Sequence, residues 1–164
     1  MDRNEVRENL LKIIGDTPGL HFRELQRRTG LAVGQLEYHL YQLQKDGSLE
    51  TRKDGKFLRY FSRTKGTEFE RHISFYIRSR TGREVITRII RGKGRAEFKS
   101  DRDSGLISTL MEMRDDSLIY LSMNQNVYIA EMVDYNAFLI FLKENRAKFL
   151  DSLASSLINL FGPG

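Results

Sequence analysis

The side chains best suited to recognition chemistry fall in one short stretch. Gln35, Glu37, Tyr38, Tyr41 and Gln42 place amide, carboxylate and phenol groups within about two helical turns, and such groups form directional hydrogen bonds. Cations flank them on both sides: Arg23, Arg27 and Arg28 come before, and Arg52, Lys53, Lys56 and Arg59 come after. Clustered guanidinium and ammonium groups suit phosphate oxygens. Bond-making chemistry is poorly supplied. There is no Cys, and the three His are His21, His39 and His72, which excludes a disulfide framework, a thiolate site and a cysteine nucleophile and argues against a histidine metal cluster. No Ser, His and Asp arrangement stands out. The stretch from Gly92 to Arg95 lacks the spacing of a phosphate-binding loop and reads as a turn. Asp101, Asp103, Asp115 and Asp116 read as helix-start and turn acids in preference to weak cation ligands. Met111, Met113, Met123 and Met132 read as adaptable core residues. No catalytic residue, metal or cofactor is expected.

Helical and hairpin signals define the elements that must hold the recognition residues. Val6, Leu10, Leu11, Ile13 and Ile14 recur at helical spacing until Gly15 to Gly19 stop the run with Gly and Pro. A short second helix follows His21, a poor cap, and ends at Gly30. Leu36, Leu40 and Leu43 form the stripe of a third helix, so Gln35, Glu37, Tyr38, Tyr41, Gln42 and Lys45 point sideways or away from its core face. Gly47 ends it. From Ser48 to Arg63 the pattern changes to β-type around Asp54 and Gly55, a hairpin turn signal. Three helices and a hairpin in this order predict a winged helix-turn-helix over residues 1–65.

Residues 20–47, LHFRELQRRTGLAVGQLEYHLYQLQKDG, resemble the helix-turn-helix of ArsR/MarR-type transcriptional regulators, particularly archaeal regulators built from two winged-helix units. His39-Leu40, Leu43 and Gly47 match the recurrent pattern at the end of the recognition helix. About 60 residues carry the resemblance. Ala32 and Gly34 depart from it, standing where Ser or Thr is usual, which removes hydroxyls that could cap the third helix or touch phosphate. The resemblance implies double-stranded DNA as partner. A recognition helix fits the major groove. There Gln35 and Gln42 could read adenine, Glu37 could accept from cytosine, and Tyr38 and Tyr41 offer a hydroxyl and a ring edge. No Arg lies on that helix. Electrostatic attraction would come from Arg23, Arg27, Arg28, Arg52, Lys53, Lys56 and Arg59, which position the protein more than they specify sequence. Two alternatives stay open: the tyrosines also fit a core cover or a dimer contact, and His39 reads as a packing residue.

The second half reads as an altered copy. Thr81 and Glu84 make a capping-box pattern before Val85, Ile86, Ile89 and Ile90. Leu106, Ile107, Leu110 and Met111 form a further helical stripe, and Ser117 to Leu121 and Val127 to Ala130 read as strands. Too few residues separate Arg91 from Asp103 for a full turn, helix and turn. The expectation is therefore a degenerate winged-helix-like domain at 81–133, joined to the first by a connecting helix at 66–80. Lys93, Arg95, Lys99 and Arg102 are candidates for auxiliary contact with the DNA backbone. C-terminal association helices are expected at 134–164, with Phe138, Phe141, Leu142, Leu150, Leu153, Leu157 and Phe161 at a homodimer interface. The fold class expected is mainly α with small β wings.

Charge agrees with this division. The whole chain of 164 residues carries a formal +5, of which residues 1–65 hold +4. The stretch 71–102 is strongly basic and the sign reverses from Asp103 onward, as in a phosphate-facing region joined to an association region. The longest apolar run, Ala137 to Leu142, is far short of the roughly 18 residues of a membrane span. The N-terminus begins with charged residues in place of a signal-peptide core, so no membrane partner and a cytoplasmic location are expected. The functional reading is a homodimeric, sequence-specific transcriptional regulator. Its rival is a winged-helix protein-interaction module within a transcription or other multisubunit assembly. An RNA-binding module ranks below both, because no aromatic sheet motif for stacking unpaired bases is present.

Overall fold

The computed structural model describes residues 2–149. Its backbone divides into two compact units, Met1–Phe75 and Tyr76–Gly164. The first opens with α1 (Arg3–Asp16), which begins where Asp2 and Glu5 satisfy each other's backbone amides, at 2.9 and 3.1 Å. This reciprocal cap supplies acceptors that a helix start otherwise lacks. Val6, Leu10 and Ile14 face inward at successive turns. The chain reverses at Gly19, whose φ of 89° is open to glycine at little cost, and enters β1 (Leu20–His21). Then come α2 (Phe22–Thr29), ended by Gly30 in the left-handed region, and α3 (Val33–Lys45), which buries Leu36, His39, Leu40 and Leu43. The hairpin of β2 (Leu49–Asp54) and β3 (Phe57–Ser62) turns at Gly55, with φ 61°. β1 pairs antiparallel with β3, so the sheet order is β1-β3-β2. One apolar core joins α1, α2, α3 and the sheet through Leu10, Leu25, Leu36, Leu49 and Tyr60.

The division between the units falls inside α4 (Glu68–Arg78). This helix is shorter at both ends than the connecting helix expected at 66–80, and it buries Ile73, Phe75, Tyr76 and Ile77. In the second unit, α5 (Arg80–Arg91) is followed by β4 (Arg95–Lys99), a 3-10 turn at Ser104–Leu106 and α6 (Ile107–Asp115). β5 (Ile119–Asn124) and β6 (Val127–Met132) form a hairpin before α7 (Tyr135–Glu144) and a 3-10 turn at Arg146–Phe149. The sheet order is β4-β6-β5, all antiparallel.

Three expectations are corrected. The chain is not mainly α with small β wings: strand makes up 21% against 57% helix, close to the strand share of an ordinary globular protein. Each hairpin recruits a third strand from an earlier part of the chain, through backbone groups that side-chain periodicity does not reveal. The β structure of the second unit is likewise more than a wing: the stretch between α5 and α6 holds a full strand, paired from Arg95↔Glu131 to Lys99↔Val127, which gives this unit a three-stranded sheet of its own. Finally, α5 is capped by Ser79, whose hydroxyl accepts from the Gly82 amide at 3.0 Å; Thr81 instead accepts a hydrogen bond from Thr109 at 2.7 Å.

Candidate nucleic-acid interface

The site starts from the two faces of α3. Its inward stripe leaves the opposite side to solvent, and Tyr41 is 60% exposed and Tyr38 46%. Gln35 and Glu37 are exposed as well, while Gln42 is half-buried. Glu37 lies on the flank nearer the sheet, where its charge assists burial in pushing the Tyr60 hydroxyl above its ordinary pKa. Among the residues expected to read bases, Gln35, Glu37, Tyr38 and Tyr41 are thus exposed, and Gln44 and Lys45 are exposed further along the helix.

On α2, Arg23, Arg27 and Arg28 are exposed, and Arg28 also donates to the Thr17 hydroxyl at 3.2 Å. The hairpin bases divide. Lys53 and Lys56 are exposed near the turn, whereas Arg52 and Arg59 are engaged inside the unit. The Arg52 guanidinium lies 4.0 Å from the centre of the Phe75 ring. Arg59 donates to Asp54 at 2.8 Å and to the Gly19 carbonyl at 2.8 Å, tying the hairpin to the turn before β1. Those contacts spend the fork of donors that a phosphate would need. Lys53 and Lys56 remain the hairpin's outward cations.

Two residues that sequence reasoning missed shape this surface. Phe57, 52% exposed, follows the hairpin turn and stacks on His21 with ring centres 5.1 Å apart. His21 is the residue from which α2 starts, so the stack holds the hairpin against the start of the arginine-bearing helix. An aromatic directly after the turn lysine was the available signal. Arg3, exposed on the first turn of α1, lies 5.8 Å from the centre of the Tyr38 ring. Its position three residues before the buried Val6 marked it as a neighbour of the core face. Behind Tyr38, His39 is buried. Burial, with Arg3 and Arg7 adding, holds its imidazole below the ordinary value of 6.5. His39 is therefore neutral at pH 7.

In the second unit, Lys93, Lys99 and Arg102 are exposed. Arg95 lies 3.5 Å from Glu131 and 3.9 Å from Glu97. Arg88 is built into the fold: it pairs with Asp103 at 2.8 Å and sits 4.1 Å from the centre of the Phe98 ring. Phe138, Phe141 and Leu142, expected at a homodimer seam, are buried in the single chain, where the Phe141 ring centre lies 6.1 Å from that of Phe149, and the exposed apolar residue of α7 is Ile140. Leu150, Leu153, Leu157 and Phe161 lie outside the described residues. Among the described residues no group of His, Asp and Glu could hold a metal ion, and no helix is long and apolar enough to cross a membrane.

Helix, tight turn and exposed second helix define the N-terminal unit as a helix-turn-helix domain, a DNA-binding module. A family model described as an N-terminal HTH domain matches residues 4–73, which covers α1 through the greater part of α4. No curated protein and no solved structure matches the chain.

Proposed function

We propose that the protein is a sequence-specific transcriptional regulator that binds double-stranded DNA as a homodimer. The observation that carries this reading is the outward face of α3. It presents Gln35, Tyr38 and Tyr41 to solvent, beside an α2 whose Arg23, Arg27 and Arg28 are exposed and a hairpin turn bearing Lys53 and Lys56. Phosphate contacts by these cations set position, and the α3 groups read base edges. Arg52 and Arg59 serve chiefly to keep the hairpin in place. In the second unit Lys93, Lys99 and Arg102, with Arg95 more weakly, add contact to the DNA backbone. A homodimer suits a two-fold symmetric operator, since one helix-turn-helix reads a half-site. The helical spacing of Leu150, Leu153, Leu157 and Phe161 in the sequence supports association there.

A labelled-duplex assay on the full chain, with specific and scrambled competitors, tests the DNA reading. A specific component is expected, and its absence even at low salt would overturn the proposal. Sedimentation at micromolar concentration tests the dimer, which a monomeric mass would exclude. The second reading, a protein-interaction module within a transcription or other multisubunit assembly, draws on the exposed Tyr38 and Tyr41 and on the lack of Arg on α3. It predicts no duplex binding and stable capture of a protein partner by the tyrosine face.

A further inference from the structure

A cavity of about 390 Å³ lies beside the recognition helix, within the usual range of roughly 300 to 1,000 Å³ for small-molecule sites. We propose that it binds a small organic acid, an anionic group carried on an apolar body. Its wall has two characters. Val6 and Leu31 make it apolar, and Tyr38 adds an aromatic ring. Arg3 supplies the formal charge, Gln35 an amide, and no carboxylate lines the cavity. An anion is therefore favoured over a cation.

Three further observations point to a ligand. Gly34 lines the cavity, and a Cβ built there would meet nothing within 4 Å. Its backbone is in an ordinary helix, where Ala would be more stable by up to about 1 kcal/mol. Glycine at this point costs helix stability and leaves the space open. Ala32, which caps α3, supplies no side-chain acceptor, and there is no acidic residue in the first turn. The amides at this helix start are thus left to an outside acceptor. Lastly, His39 lines the cavity at 7% exposure, and its Nδ1 has no hydrogen-bond partner. A buried ring nitrogen without a partner is uncommon in a finished interior.

Occupation would cover Gln35 and Tyr38, two of the proposed base readers, so the ligand would compete with DNA. This consequence rests on the DNA reading; the binding itself does not. The first test therefore omits DNA. The full chain is titrated with benzoate, hexanoate, inorganic phosphate and benzylamine while the amide signals of Gly34, Gln35 and Tyr38 and the ring signals of His39 are followed. Benzoate and hexanoate are expected to shift these signals saturably at millimolar concentration. Arg3→Gln should weaken the effect about tenfold. Gly34→Leu should abolish it while raising the melting temperature. Equal shifts from inorganic phosphate would overturn the apolar-body requirement, and equal shifts from benzylamine would overturn the charge requirement. No saturable shift, or binding retained in both variants, would overturn the site. In a second test, benzoate should release a bound duplex from the wild type and not from Gly34→Leu. Ligand binding without release would leave the pocket standing and remove its coupling to DNA.

Discussion

The two units build the same sheet order from different material. In each, a strand following the first helix pairs with the second strand of a later hairpin, giving β1-β3-β2 and β4-β6-β5. The first unit turns its hairpin with Gly55 at φ 61°, and the second with Gln125 at φ 54°, a conformation that side chains adopt less readily. The larger difference lies in which elements carry the exposed cations. In the N-terminal unit, Arg23, Arg27, Lys53 and Lys56 are exposed and make no ion pair among the described residues. In the C-terminal unit, Arg88 is fastened to Asp103, Arg95 to Glu131, and Arg114 to Asp115 at 3.0 Å. Both units pair some cations internally, Arg7, Arg59, Arg63, Lys65 and Arg71 in the first as well, and both keep others exposed, but in the first the exposed ones stand on α2 and at the hairpin turn that accompany α3. A net charge by itself does not distinguish the two cases.

The comparison can be broken most directly at glycine. A Cβ on Gly92 would collide with the Arg95 carbonyl, which the turn into β4 brings against it. Gly92→Ala should destabilise the C-terminal unit by about 3 kcal/mol, seen as loss of hydrogen-exchange protection in β4 and β6. Gly34→Ala, in open space, should instead stabilise the N-terminal unit by up to about 1 kcal/mol. Equal effects would show that the second unit's turn is not strictly packed.

Arg88→Ala should cost about 1 to 2 kcal/mol through its bonds to Asp103 and the Glu97 carbonyl. Those bonds give the same pair a pH signature. Hydrogen bonding from Arg88, then the Lys99 amide and the nearby charges, hold the Asp103 carboxyl below 3.8 despite its burial. Its folded pKa is depressed, so its stabilising contribution is present above pH 3.8 and is lost as pH falls through the depressed value. Acid unfolding of Arg88→Ala should show a smaller loss over that window.

Exchanging both Lys53 and Lys56 for Ala should weaken binding to all duplexes about tenfold at moderate salt and reduce the salt slope by about 2. Removing Lys93, Lys99 and Arg102 together should do less. If the second set matters more, the exposed cations of α2 and the hairpin are not the main phosphate contacts.

The smallest effect is at His39. Because burial lowers its pKa from 6.5, the unfolded chain binds more protons between the depressed value and 6.5. Stability from this group is therefore full above pH 6.5 and falls as pH drops through the depressed value. His39→Gln should flatten that part of the stability profile, as read by urea unfolding.

What the sequence determined by itself was local. Leu36, Leu40 and Leu43 set the faces of α3, Gly30 and Gly47 bounded it, and Asp54-Gly55 placed the hairpin, because each signal acts within a few residues. Tyr38 and Tyr41 could be placed outward for the same reason. Only the tertiary structure decided which strands join. Leu20 pairs with Tyr60 and Arg95 with Glu131, and backbone pairing over such separations leaves no periodic trace in either segment. It also decided that Arg52 and Arg59 hold the hairpin while Lys53 and Lys56 face out, since neighbours distant in the chain determine whether a cation is consumed. Phe138, Phe141 and Leu142 followed the same logic. Their apolar spacing predicted burial, and only packing decides that all three are already covered in the single chain.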